Sequence, residues 1–252
     1  MQQQVSYGLQ HTQYGVELID AHCHLELFDD YTVAVSDARM AGVRWMVTAG
    51  GTKASSLAAQ SIADGISVFA VIGVDPSAPA DDASFVEEIK SVVGSNKNIV
   101  GIGEVGLDYK LAEVNKDYQK KLFSRQLEIA AEINMPVVVH ARGAIADAME
   151  MIAERGDVRC MMHFFEGDEK QAERLAGDGH LISIPPIESS RRKRVINAVG
   201  LSNIAVETDS PVVGKSPIDV IRTVGWIAQI KGVSFNDAAT RITQNVKKLF
   251  SI

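Results

Sequence analysis

Leu18-Ile19-Asp20-Ala21-His22-Cys23-His24 is the stretch that decides the fold. It is a short, mostly apolar run ending in two histidines, and it reads as a strand covered on both faces, as in a parallel sheet. An open doubly wound sheet that binds a nucleotide is the competing architecture, and it places a glycine-rich turn directly after its first strand. Asp20-Ala21-His22-Cys23-His24 occupies that place here, so the usual nucleotide signal is absent.

Seven further runs of the same kind follow, at Trp45–Gly50, Ser67–Val74, Ile99–Glu104, Pro136–His140, Arg159–His163, His180–Ile184 and Ile204–Asp209. Helical patterns separate them. Ser84-Phe85-Val86-Glu87 reads as a capping box opening a helix to about Val93. Lys116 to Asn134 puts Leu122, Phe123, Leu127, Ala130 and Ile133 on one stripe, and Asn134-Met135-Pro136 ends it. Asp168 with Gln171 and Ser234 with Asp237 mark two more helix starts. No linker divides the chain and no sequence repeat is evident. Eight β-then-α units predict an α/β fold, a (β/α)8 TIM barrel in a single domain over residues 16–252, after a polar extension over residues 1–15.

Composition narrows the function. The 252 residues are 46% hydrophobic, enough for a core, and no apolar run approaches a membrane span of roughly 18 residues. Lys and Arg number 25 against 32 Asp and Glu, a net charge of −7, unlike a protein that coats duplex DNA electrostatically. Contact with nucleic acid would have to be local or through a metal. Two cysteines, Cys23 and Cys160, make no disulfide framework, and Met1-Gln2-Gln3-Gln4 does not open a signal peptide. A cytoplasmic location is the expectation.

Four of the six histidines, His22, His24, His140 and His163, lie at the C-terminal ends of predicted strands, with Glu104 and Asp209 at two more. In a barrel these ends converge on one face, where active sites are built. His22 and His24 are two apart on a strand, so both imidazoles face the same way and Cys23 faces the helices. That is an HxH pair suited to one divalent ion. A carboxylate at the end of an apolar strand is costly to bury without a cation, and Glu104 has two oxygens with which to bridge ions. His140 and His163 suit a second ion. Asp209 suits a ligand that also accepts the proton of bound water. Glu207 reads as an orienting partner. Arg191-Arg192-Lys193-Arg194 follows the seventh strand, as a solvated helix face or a phosphate-attracting rim. His11 and His180 are not expected to ligate.

Five ordered motifs carry a resemblance: Asp20-Ala21-His22-Cys23-His24, Gly103-Glu104-Val105-Gly106-Leu107-Asp108-Tyr109, Pro136-Val137-Val138-Val139-His140-Ala141-Arg142, His163-Phe164-Phe165-Glu166-Gly167 and Glu207-Thr208-Asp209-Ser210-Pro211. Together with the closing Thr243-Gln244-Asn245-Val246-Lys247-Lys248-Leu249-Phe250, they resemble the TatD family of metal-dependent deoxyribonucleases, among the amidohydrolase-type barrels. The resemblance runs from about residue 17 to 250. It implies two divalent ions (Zn, Mg or Mn), one held by His22 and His24, the other by His140 and His163, with Glu104 bridging and Asp209 on the first. It implies phosphodiester cleavage, chiefly from the 3′ end of DNA, with Asp75, Arg142 and Glu207 on the substrate side.

Three departures fall on the substrate side. Gly73-Val74-Asp75-Pro76 stands where the family usually has Gly-x-His-Pro. Ile184-Pro185-Pro186-Ile187-Glu188 replaces a Gly-x-x-Thr-like loop, and Lys215-Ser216-Pro217 stands where Asn-x-Pro is common. The expectation is therefore a metal-dependent hydrolase that cuts single-stranded nucleic acid with a metal-bound hydroxide, Asp209 and Glu104 being catalytic. The alternative uses the same centre on a carboxylic ester, amide or lactone, such as an aminoacyl ester on RNA.

Overall fold

The computed structural model describes residues 15–111 and 115–252. All of the expected extension except Gly15 lies outside the described residues, and so does His11. Eight strands form one sheet in sequence order: β1 (Leu18–Cys23), β2 (Val43–Gly50), β3 (Val68–Ile72), β4 (Ile99–Asp108), β5 (Val137–Arg142), β6 (Cys160–Met162), β7 (Leu181–Ile184) and β8 (Ile204–Val206). Every neighbouring pair from β1–β2 to β7–β8 is parallel. β8 meets β1 through Asp209 N–H to His22 O at 2.9 Å and His24 N–H to Ser210 O at 2.8 Å, and these bonds bring the barrel close to closure.

The helices among the described residues are α1 (Tyr31–Met40), α2 (Lys53–Ile62), α3 (Phe85–Ser95), α4 (Lys116–Glu132), α5 (Ile145–Arg155), α6 (Glu169–Gly177), α7 (Ser190–Ala198), α8 (Val220–Lys231) and α9 (Phe235–Phe250). The smaller apolar cluster takes Ile19, Val47, Val71, Val100, Val138, Met161, Leu181 and Ala205, one from each strand, and fills the barrel interior. Val246, Leu249 and Phe250 of α9 join it and close the end away from the strands' C-termini. The larger cluster lies between strands and helices.

Local signals held in part. Asp168 and Gln171 make the expected reciprocal cap on α6, and the Ser234 hydroxyl accepts from Asp237 N–H at α9. Ser84 does not cap α3. Residues Ala80–Ser84 form a 3-10 turn that runs straight into the helix, so Ser84 is already helical and its hydroxyl donates to Asp81 O. A cap needs extended backbone, which Ser84 lacks. α4 ends at Glu132, with Asn134 in the left-handed region at φ 53°.

Strand ends differ as well. β4 continues four residues beyond Glu104, to Asp108, while β8 stops at Val206, three residues short of Asp209. Two bulges sit at the site. Along β1 the register advances from Asp20 to Cys23 while β2 advances only from Met46 to Thr48. Along β4 it advances from Ile102 to Val105 against Val137 to Val139 on β5. Each extra residue re-aims the side chains after it.

Candidate metal centre

The β1 bulge explains how HxH reaches the site. Ile19 and Ala21 face the barrel interior, so strict alternation would also send Cys23 inward and His22 outward. The extra residue reverses this. Cys23 joins the outer core, where its thiol lies 3.5 Å from Val47 O, and His22 and His24 turn toward the mouth. The β4 bulge does the same for Glu104, since Ile102 and Val105 both join the outer core.

The six expected side chains converge. Glu104 Oε2 lies 3.5 Å from His22 Nε2 and 3.9 Å from His24 Nε2, and Oε1 lies 2.7 Å from His140 Nδ1 and 3.6 Å from His163 Nε2. Each oxygen thus faces one pair of histidines. Asp209 Oδ1 is 3.1 Å from His24 Nε2 and 3.7 Å from His22 Nε2. Donor atoms of His22, His24 and Asp209, and of His22, Glu104 and His163, lie within 4.8 Å of one another. His22 therefore belongs to both groups, whereas His140 is turned onto Glu104 and Asp108 (Nε2 to Oδ2, 3.2 Å).

His22 tests whether these residues fit a metal. It is fully buried, and neither ring nitrogen has a hydrogen-bond partner among the described residues. A buried polar atom left so is expensive unless something else binds it. Burial, reinforced by His163, lowers the basicity of His22, which keeps the imidazole neutral as a ligand must be. The donor set is imidazole and carboxylate, which suits a divalent ion.

The surrounding groups orient these candidate ligands. Glu207 is fully buried, with Oε2 3.0 Å from His163 Nδ1 and Oε1 accepting from Phe164 N–H at 2.7 Å. That occupies both oxygens and matches the orienting role more closely than substrate contact. His24 Nδ1 lies 2.9 Å from Ala49 O and 3.3 Å from Glu26 Oε1. Burial alone would lower His140; Asp108 and Glu104 outweigh it and raise it to about 10. His163 is likewise lifted against burial to about 9, by Glu207 and Glu104. Burial would raise Glu104, but His163 and His140 hold it well below the usual carboxylate range.

Sequence reasoning missed three carboxylates. Asp108 takes His140 and both the Nε and Nη2 of Arg142. Glu26 holds His24 and accepts from the Thr48 hydroxyl. Asp20, buried in the barrel wall, accepts from His22 N–H, Thr208 N–H and the Thr208 hydroxyl. Two of them, Asp20 and Glu26, lie two residues from a ligand in sequence, and that proximity was the available signal.

The substrate candidates are spread around the mouth. Arg142 is half exposed, with its guanidinium on Asp108. Asp75 Oδ1 accepts from Ser77 N–H and the Ser77 hydroxyl at 2.5 and 2.6 Å. Its other oxygen lies over Gly51, where a Cβ would come within 2.0 Å, so a larger residue at 51 would push the Asp75 carboxylate aside. In the Arg191–Arg194 stretch, Arg194 pairs with Glu169 while Arg192 is buried with its guanidinium over the Phe164 ring. His180 precedes β7 at the opposite end of the barrel, near Cys160 N–H.

The family model for "TatD related DNase" matches residues 19–251. Deoxyribonuclease TATDN3 of Homo sapiens is 29% identical over 94% of this chain and 95% of its own. The uncharacterized metal-dependent hydrolase MJ1582 of Methanocaldococcus jannaschii is 29% identical over 93% of this chain and 97% of its own. Among solved structures, the TatD homologue YJJV of Escherichia coli superposes with a TM-score of 0.85 at 20% identity, covering 93% of this chain and 98% of that one. A barrel with this cluster at its mouth, matched along nearly its whole length, belongs to the TatD-related DNase family of metal-dependent hydrolases.

Proposed function

We propose that the chain cleaves phosphodiester bonds in single-stranded nucleic acid, acting on DNA from the 3′ end. His22, His24 and Asp209 would hold one divalent ion, His140 and His163 a second, and Glu104 both. When bound, such ions supply Lewis acidity and lower the pKa of water toward ~7. The observation that carries this reading is Glu104, whose two oxygens each lie within 4.0 Å of a different pair of histidines.

The protein's own groups have defined parts. Burial would raise Asp209, but His24, His163 and His22 hold it below the usual carboxylate range, so it is ionised at neutral pH and able to take a proton. Glu207 fixes the His163 ring, and Asp108 fixes His140 and Arg142. Arg142, on the rim, is the group for a substrate phosphate. The deoxyribonuclease name of the human relative agrees with this substrate class.

One observation favours the second reading, hydrolysis of a carboxylic ester, amide or lactone. Asp75 adds a carboxyl group on the expected substrate side, close enough to Glu104 that burial and then that charge raise its pKa. The decisive experiment loads the protein with zinc or manganese, counts ions per chain, and assays 3′-labelled single-stranded DNA, RNA and p-nitrophenyl esters. Two ions per chain and release of the 3′ label are expected. One ion per chain would overturn the two-ion arrangement, and turnover of carboxylic esters alone would overturn the substrate.

A further inference from the structure

Phe164 adopts an unusual conformation beside the centre. It follows His163 directly, and its φ of 46° lies in the left-handed region, which a bulky side chain rarely occupies. Glycine would adopt it without cost. Glu207 holds the backbone there: one of its oxygens accepts from Phe164 N–H while the other lies on His163 Nδ1. The carboxylate that orients the histidine therefore also sets the position of the aromatic ring. An outlier maintained in this way beside a reactive centre points to a use for the side chain.

The ring is half-buried, 5.9 Å from the His163 ring. The Arg192 guanidinium covers it at 5.1 Å, itself only 9% exposed and anchored by Nη1 to Ile187 O. Beyond Phe164, the next three loops around the barrel present Ile187, Val212 and Leu27 at 42%, 64% and 55% exposure. The other side of the mouth carries the Asp108–Arg142 pair and the exposed Lys110. Along β6–β7–β8–β1 the mouth thus carries these apolar groups among the exposed Glu166, Glu188, Arg191 and Lys215. Exposed apolar groups beside a reactive centre are candidates for ligand contact.

We propose that Phe164 is a stacking platform for the base of the nucleotide whose phosphodiester is cleaved, with Ile187, Val212 and Leu27 excluding water beside it. This rests on the phosphodiesterase reading and adds the part of the substrate that the metal cluster leaves unexplained. A base fits better than an aliphatic acyl group. It is flat, it stacks on the exposed part of a half-buried ring without needing an enclosing pocket, and its polar edge stays in water. Lys110 and the half-exposed Arg142 on the β4–β5 side then take the phosphate backbone.

The test measures equilibrium binding to the Mn2+-loaded protein by calorimetry, with thymidine 5′-monophosphate, 2-deoxyribose 5-phosphate and inorganic phosphate as probes. The base should improve affinity about tenfold over the abasic sugar phosphate, the scale of one aromatic stack. Phe164→Leu should abolish that advantage, Phe164→Trp should keep it, and neither should change binding of 2-deoxyribose 5-phosphate. Phe164→Gly should lose the advantage with a Tm equal to or above wild type, because glycine relieves the left-handed backbone. Equal affinity of the two sugar phosphates for wild type, or an advantage that survives Phe164→Leu, would overturn the platform. The same proteins are assayed on 3′-labelled DNA. Cleavage of DNA without a base advantage overturns the platform alone, and a base advantage without cleavage of any nucleic acid overturns the phosphodiesterase reading alone.

Discussion

Asp209 shows how much one residue is asked to do. It sits beyond β8 in the left-handed region at φ 50°, its N–H bonded to His22 O and its carboxylate on His24. Asp209→Asn keeps the shape and removes the proton acceptor. A general base contributes about 10²–10⁴-fold, so kcat on the cleaved substrate should fall by at least about 10² with the fold intact by circular dichroism. Turnover near wild type would show that the base lies elsewhere. Cys23 is the matching control, one residue from two ligands but on the other side of the strand. Cys23→Ser places a more polar hydroxyl in the outer core, at a cost of about 1–3 kcal/mol in urea unfolding. Ions per chain should be unchanged, and a large drop in metal content would contradict the assignment of Cys23 to the outer core.

At the scale of elements, the strands were legible because eight apolar runs recur between amphipathic stretches, and the convergence of the six candidate ligands because each closes or follows such a run. The bulges were not legible. An inserted residue changes register against a neighbour, and nothing in Leu18–His24 or Ile99–Glu104 states what the neighbour does. Asp108 was missed for the same reason: β4 runs on to it, so it belongs to the same strand as Glu104. The Ser84 capping box failed because the preceding residues were already helical. Asp64 offers a test at this scale. Its Oδ1 accepts from Ile66, Ser67 and Val68 N–H at 2.7, 2.7 and 2.9 Å, which fixes the turn leading into β3. Burial raises its pKa, but the three donors outweigh it and leave it lowered. A depressed carboxyl stabilises the fold above its unfolded pKa of about 3.9, and the gain disappears as pH falls through the folded value. The Tm difference between wild type and Asp64→Ala should be constant near neutrality and shrink below about pH 4. A difference independent of pH would show that the charge is irrelevant to the turn.

At the scale of the whole molecule, the net charge of −7 and the carboxylates of the mouth set a problem that metal binding only partly solves. Divalent ions would offset Glu104 and Asp209, but Asp75 lies outside the cluster of six, and among the described residues no lysine or arginine pairs with it. Ser77 and then His140 oppose the rise that burial causes. Arg142, the cation expected with it on the substrate side, is committed to Asp108. Two like charges ~4 Å apart repel by about 4 kcal/mol at an effective dielectric of 20, and by less where water screens them. Asp75→His removes a negative charge from the path of a polyanion and supplies a donor. It should raise kcat/KM on single-stranded DNA at least several-fold, roughly fivefold or about 1 kcal/mol, with little change in ions per chain. The gain should shrink as salt is added, because screening already weakens the repulsion in wild type. Carboxylic ester turnover serves as the counter-assay. If Asp75→His left DNA cleavage unchanged and lowered ester turnover instead, Asp75 would be recognising a different substrate, and the ester reading would take precedence. Vigorous wild-type cleavage with no response to the exchange would mean that this carboxylate points away from the nucleic acid.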